Sequence, residues 1–184
     1  MFYGKVGQKG IKLTELKDFL ALNGSATYSI DFENVFIEDD MVVALGNDVR
    51  PFFASIRPSF LATQSAVGLG VIEASIETMK KAEKDEKNKF LPIQASNIND
   101  EFLKLKADLY DFMDKTNWQE NFKAIVDIRL RVAYLTIKVS QNAMIHQGSS
   151  GYIAYSPYSR RMRESYFYAN YTPTIAHLEK LLAI

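Results

Sequence analysis

Cysteine is absent from the 184 residues, which excludes disulfides, thiolate nucleophiles and sulfur-ligated metals. Histidine is almost as scarce, with His146 and His177 the only two. Neither has a carboxylate or second histidine three or four residues away in a ligand-like pattern, so no metal site is expected. An excess of charge of one sign is missing too. The 22 Lys and Arg cancel the 22 Asp and Glu, so there is no long-range pull towards phosphate backbones and no nucleic-acid partner is expected. No run approaches the roughly 18 consecutive apolar residues of a membrane span. The start, Met1 to Leu13, is broken by Gly and Lys and lacks the apolar core of a signal peptide. A cytoplasmic protein without a membrane span is the expectation. No GxSxG, P-loop or GxGxxG pattern occurs, and Gly68-Leu69-Gly70 lies inside a helical run, where close packing accounts for it.

What is present is enough for a core: 47% hydrophobic residues against 24% charged, in a length that holds one domain comfortably. The texture changes near residue 50. Before it, short apolar segments are broken by Gly, Asn and Asp. Tyr28, Ile30 and Phe32 alternate with Ser29 and Asp31, the period of a half-buried strand, and Asn23-Gly24 is a turn signal. Three or four short antiparallel strands are predicted over residues 1–45.

After Pro58 the pattern is helical. Phe60, Leu61, Ala66, Val67, Leu69, Val71, Ile72, Ile76 and Met79 are so densely apolar that this helix is expected to sit deep in the fold. The charged run 80–89 and Pro92 end it. Ser96 or Asn97 is expected to cap a second helix carrying Phe102, Leu105, Leu109 and Phe112. A third is predicted over 118–144, stopped by Gly148 to Gly151. Ser156 with Pro157 opens a fourth, and Thr172 with Pro173 a fifth. The fold class is therefore mainly α: an antiparallel up-down bundle over 49–184, preceded by a few short β-strands over 1–48. So few strands make no core of their own, and open sheet edges invite pairing.

The segment from Gly148 to Thr174 concentrates six of the ten tyrosines and the arginines Arg160, Arg161 and Arg163. Glu164 can pair with Arg160 one turn away. Two readings are open. The arginines brace the bundle while the aromatics fill it, or they hold a phosphorylated or aromatic ligand, since Arg grips phosphate bidentately and Tyr offers a stacking face.

Here a family pattern is visible. Gly151-Tyr152, four residues, Pro157, two residues, Arg160, two residues and Arg163-Glu164 resemble the acyl-CoA dehydrogenase signature GY-x4-P-x2-R-x2-R-D, with Glu for the last Asp. GSATYSIDFENVFIEDDMVV (Gly24 to Val43) is similar to the end of that family's middle β-domain. RPSFLATQSAVGLGVIEASIE (Arg57 to Glu77) is similar to the first long helix of its C-terminal domain. The resemblance implies the last strands of a β-domain followed by a helical bundle, that is, the back half of a family member. It implies FAD as cofactor, an acyl-CoA-like substrate, and as partners further copies of the chain or a polypeptide supplying the N-terminal half. Gly148 and Ser149 match the family's Gly-Gly that meets a neighbouring subunit's FAD, and Thr174 matches a further flavin contact. The position of the catalytic carboxylate falls on Thr172, which cannot serve as that base, so no catalytic residue is assigned. The pyrophosphate-binding Arg has no counterpart beyond Lys89. Relatives without the base include flavin-dependent monooxygenases, whose ending is similar to Tyr171-Thr172-Pro173-Thr174. The alternative is a non-catalytic remnant or oligomerisation module of the same fold.

Overall fold

Strands β1 (Ile11–Glu15) and β2 (Tyr28–Phe32) form one antiparallel pair in the computed structural model, which describes all of Met1 to Ile184. The register sets Ile11 opposite Phe32, Leu13 opposite Ile30 and Glu15 opposite Tyr28. The two-residue period therefore gathers Ile11, Leu13, Tyr28, Ile30 and Phe32 on one face. Phe2 meets Phe32 edge-on with ring centroids 5.5 Å apart. Phe2, Ile11, Leu13, Ile30 and Phe32 help line an apolar cleft of about 420 Å³.

Two expectations for this region need correction. Of the three or four strands, two form, and further pairing is limited to a single bridge between Phe2 and Val42. The reason is local: Gly7, Gly10 and Asn34 take left-handed backbone conformations that break extended runs. The expected half-burial is also missing, because Ile30 and Phe32 are 52% and 54% exposed. A two-stranded ribbon has no second layer to cover that face.

The chain divides into two compact units, Met1–Arg57 and Pro58–Ile184. Helix α1 (Val49–Ala82) begins nine residues before Pro58, which lies inside it. Pro51 sits in the first turn, where no N–H is required. Pro58 removes one ladder bond at the division between the units.

The second unit is a bundle. It holds the rest of α1 with α2 (Ala95–Met113), α3 (Phe122–Gln147), α4 (Pro157–Asn170) and α5 (Ile175–Ala183). α3 packs against α2, α4 and α5. Ile72, Ile76 and Met79 of α1 join Phe102, Leu105 and Phe112 of α2 and Ile125, Val132 and Val139 of α3 in one core. Burial of α1 is one-sided rather than deep. Leu61, Ser65, Gly68, Ile72, Ser75 and Met79 are buried, whereas Phe60 and Val67 are half exposed. By length and composition Gly46–Ala82 would pass for a membrane-crossing helix, yet half of its apolar window is buried within the protein.

Helix starts follow the capping rules at shifted positions. Ser156 accepts from Ser159 N at the head of α4, as expected. α2 is capped by Gln94, not Ser96 or Asn97; Asn97 supplies the reciprocal bond to the Gln94 N–H. Helix α3 starts at Phe122 rather than Trp118. α5 is capped by Thr174, whose hydroxyl accepts from His177 N. Thr172 does not cap it: α5 begins at Ile175, three residues further on, and the Thr172 carbonyl faces elsewhere in the bundle, as described next.

Candidate functional site

Arg129 is the one charged side chain on the inward stripe of α3 formed by Ile125, Val126, Val132 and Ala133, and it is fully buried. Its guanidinium lies 3.8 Å from the centre of the Tyr168 ring. Nε donates to Gln64 Oε1 at 3.2 Å and Nη2 to the Tyr168 carbonyl at 3.0 Å. Gln64, buried on α1, turns its amide nitrogen to the Thr172 carbonyl at 2.8 Å. Three helices and the α4–α5 link are thus tied through one cation. No carboxylate pairs with Arg129, and burial pushes the guanidinium below its usual pKa. The cation is held by the π face and two carbonyl-type oxygens, while Nη1 has no protein partner.

Tyr168 is equally enclosed, at 1% exposure. Its hydroxyl makes no hydrogen bond of standard geometry; the nearby Ser65 hydroxyl donates to the Leu61 carbonyl at 2.9 Å. Burial raises the phenol pKa well above the ordinary value, the nearby Arg129 charge opposing it only in part. A folded pKa above the unfolded one means a stability contribution that is complete below the unfolded pKa and is lost as pH rises past it. The unfolded phenol ionises at about pH 10. The wild type is therefore expected to lose stability above about pH 10 more steeply than Tyr168→Phe. Urea denaturation at stepped pH reads this, and parallel profiles would contradict it.

The signature residues occupy α4 and the loop before it. Arg160 and Glu164 form an ion pair at 3.3 Å on the exposed side. Arg163 turns back to the loop, donating from Nη1 to the Ala154 carbonyl at 2.8 Å and to Ser159 Oγ at 3.2 Å. Ser159 Oγ is itself bonded to the Ile153 and Ala154 carbonyls. Arg163 therefore braces the loop through the Ala154 carbonyl and Ser159 Oγ, not through a carboxylate. Arg163→Ala is expected to lower stability by about 1 kcal/mol, the worth of a charged bond at a partly exposed site; an unchanged melting temperature would contradict this.

Gly148 ends α3 with φ +58°, and space above it is open: nothing lies within 4 Å of where a Cβ would stand. Ser149 beside it is exposed. Gly151 is different, since a Cβ there would come within 2.5 Å of the Met144 carbonyl oxygen. Thr172 and Thr174 lie beyond the other end of α4, whose 14 residues extend about 20 Å. The Gly148–Ser149 pair and the Thr172–Thr174 pair are therefore separate places. Lys89 is paired with Glu86 at 2.6 Å. His146 is buried, with Nε2 2.9 Å from the Ile93 carbonyl, while His177 is exposed. No group of three or more potential metal-binding side chains comes together.

Sequence reasoning passed over Arg129, although a lone cation at helical spacing within an apolar stripe marks it. Arg161, whose Nη1 donates to Thr78 Oγ1 at 2.7 Å, carried no such mark, because its partners come from distant parts of the chain.

No protein-family model matches the sequence, and no curated protein matches it. Solved structures do match in fold. Butyryl-CoA dehydrogenase from Megasphaera elsdenii superposes with a TM-score of 0.86 at 15% identity, over 99% of this chain and 50% of that one. An FAD-dependent dehydrogenase gives 0.82 at 13% identity, over 99% and 52%. Dibenzothiophene monooxygenase from Paenibacillus sp. A11-2 gives 0.78 at 13% identity, over 96% and 52%. The chain thus has the fold found in half of an acyl-CoA dehydrogenase and spans about half the length of the structures it matches. The match bears out the helical bundle preceded by short strands.

Proposed function

We propose that the chain is the C-terminal half of an acyl-CoA dehydrogenase-like flavin oxidoreductase, active only when a partner polypeptide supplies the front half of the fold. The carrying observation is the near-complete superposition of this chain on half of each larger enzyme. The exposed apolar face of the β1–β2 ribbon supports it, because Leu13, Ile30 and Phe32 gain burial only if further structure covers them.

FAD is the cofactor this reading implies. The residues present on this chain do not by themselves fit it. Open space above Gly148 admits a flat ligand, but the Thr174 hydroxyl is occupied in capping α5, Lys89 is neutralised by Glu86, and the two candidate places lie at opposite ends of α4. The flavin is accordingly assigned to the completed assembly, with further copies of the chain as the second expected partner. Thr172 supplies no base for abstraction of an acyl α-proton, so that step forms no part of the proposal.

A second reading is favoured by one observation: Thr172 and Thr174 both have structural employment, through Gln64 and through the α5 cap. In that reading the bundle is an assembly module that binds no flavin. The two separate on one preparation. The chain purified with a polypeptide carrying the front half of the fold, and supplied with FAD, is expected to retain flavin absorbance at about 450 nm, while the chain alone stays colourless. A complex that remains colourless would overturn the flavoprotein reading in favour of the module.

A further inference from the structure

The C-terminal end of α1, the last turn of α3 and the first turns of α4 enclose an open pocket of about 290 Å³ lined by Thr78, Lys81, Gln147, Tyr158 and Arg161 among others. No residue lining it is acidic. Neighbouring cations are neutralised, Lys80 by Glu77 and Arg160 by Glu164, but Lys81 and Arg161 have no carboxylate within ion-pair distance. Arg161 is partly buried and uses one N–H, from Nη1 to Thr78 Oγ1 at 2.7 Å. The rest of its fork has no protein partner. Thr78 Oγ1 in turn donates to the Ala74 carbonyl at 3.1 Å, which fixes that hydroxyl as an acceptor for Arg161. The Gln147 side-chain amide is anchored at 3.4 Å to the Thr78 carbonyl.

Two like charges share a small concave space with hydroxyl and amide groups and no carboxylate. Their mutual repulsion is relieved by an anion, and a guanidinium held from one side offers its free edge to a tetrahedral oxyanion. The geometry points to a binding site for a phosphate group, free or carried as a phosphomonoester, gripped by Arg161 and Lys81. This site is independent of the flavin reading, since it uses neither Gly148, Ser149 nor Thr174 and needs no partner chain.

The test uses the full chain without flavin. Inorganic phosphate and AMP are titrated separately, followed by phosphorus NMR line width and by melting temperature, with sodium chloride at matched ionic strength as reference. Saturable binding of at least one of them is expected. Arg161→Gln and Lys81→Gln should each weaken it about tenfold, as loss of a charge-assisted contact does, while Arg160→Gln leaves it unchanged. Tighter binding of AMP than of phosphate identifies the phosphomonoester, and the reverse order the free anion. Equal affinity in the wild type and Arg161→Gln, or a response to both ligands no larger than to chloride, would overturn the site.

Discussion

Gly68→Ala is expected to destabilise the bundle by about 2–3 kcal/mol, against the usual gain of about 1 kcal/mol from replacing a mid-helix glycine. A Cβ at Gly68 would stand 2.6 Å from Tyr168 Cζ and closer still to Val132 Cγ1, and these neighbours are a rigid ring and a β-branched side chain, both fully enclosed. Neither can swing away, so α1 itself must shift from α3 and α4. Gly70, two residues on in the same helix, is the control. Nothing lies within 4 Å of its Cβ position, and Gly70→Ala should stabilise by about 1 kcal/mol. Opposite signs in urea denaturation are the expected result. Two stabilising substitutions would mean that α1 does not pack here as described.

The second large effect concerns Arg129. Arg129→Ala removes a buried side chain from beneath Tyr168, leaves Gln64 and the Tyr168 carbonyl without their donor, and is expected to cost about 3–4 kcal/mol. Arg129→Met keeps most of the volume and lifts the desolvation of an unpaired charge, so its loss should be less than half as large. If Met proves as damaging as Ala, the hydrogen bonds rather than the packing hold this centre. The same pair of variants reads the coupling to the α4–α5 link, since Gln64 reaches from Arg129 to the Thr172 carbonyl.

These two centres also show what was legible in the sequence. The helices and their order followed from apolar spacing and from stop signals such as Pro92, Gly148 and Pro157, which act locally. Caps were less legible. Gln94 and Thr174 cap where Ser96 and Thr172 were expected, and the neighbouring backbone is tied by contacts no local pattern shows: Glu83 takes the Ala95 N–H and Gln64 reaches the Thr172 carbonyl, 12 and 108 positions away. The alternation of Tyr28, Ile30 and Phe32 defines a face, but a period cannot report whether anything covers it. The arginines of α4 were conspicuous by composition, whereas their division of labour was not. Arg163 serves the loop, Arg160 pairs with Glu164, and Arg161 faces a pocket built from α1, α3 and the start of α4.

If the proposed front half completes the fold, it covers the exposed face of the β1–β2 ribbon. Hydrogen exchange of the amides in Ile11–Glu15 and Tyr28–Phe32, with and without a polypeptide carrying the front half, tests it most directly. The account predicts fast exchange in the chain alone and strong protection in the complex, because unsupported two-stranded ribbons open readily. Exchange that is already slow in the chain alone, or that the partner leaves unchanged, would contradict it.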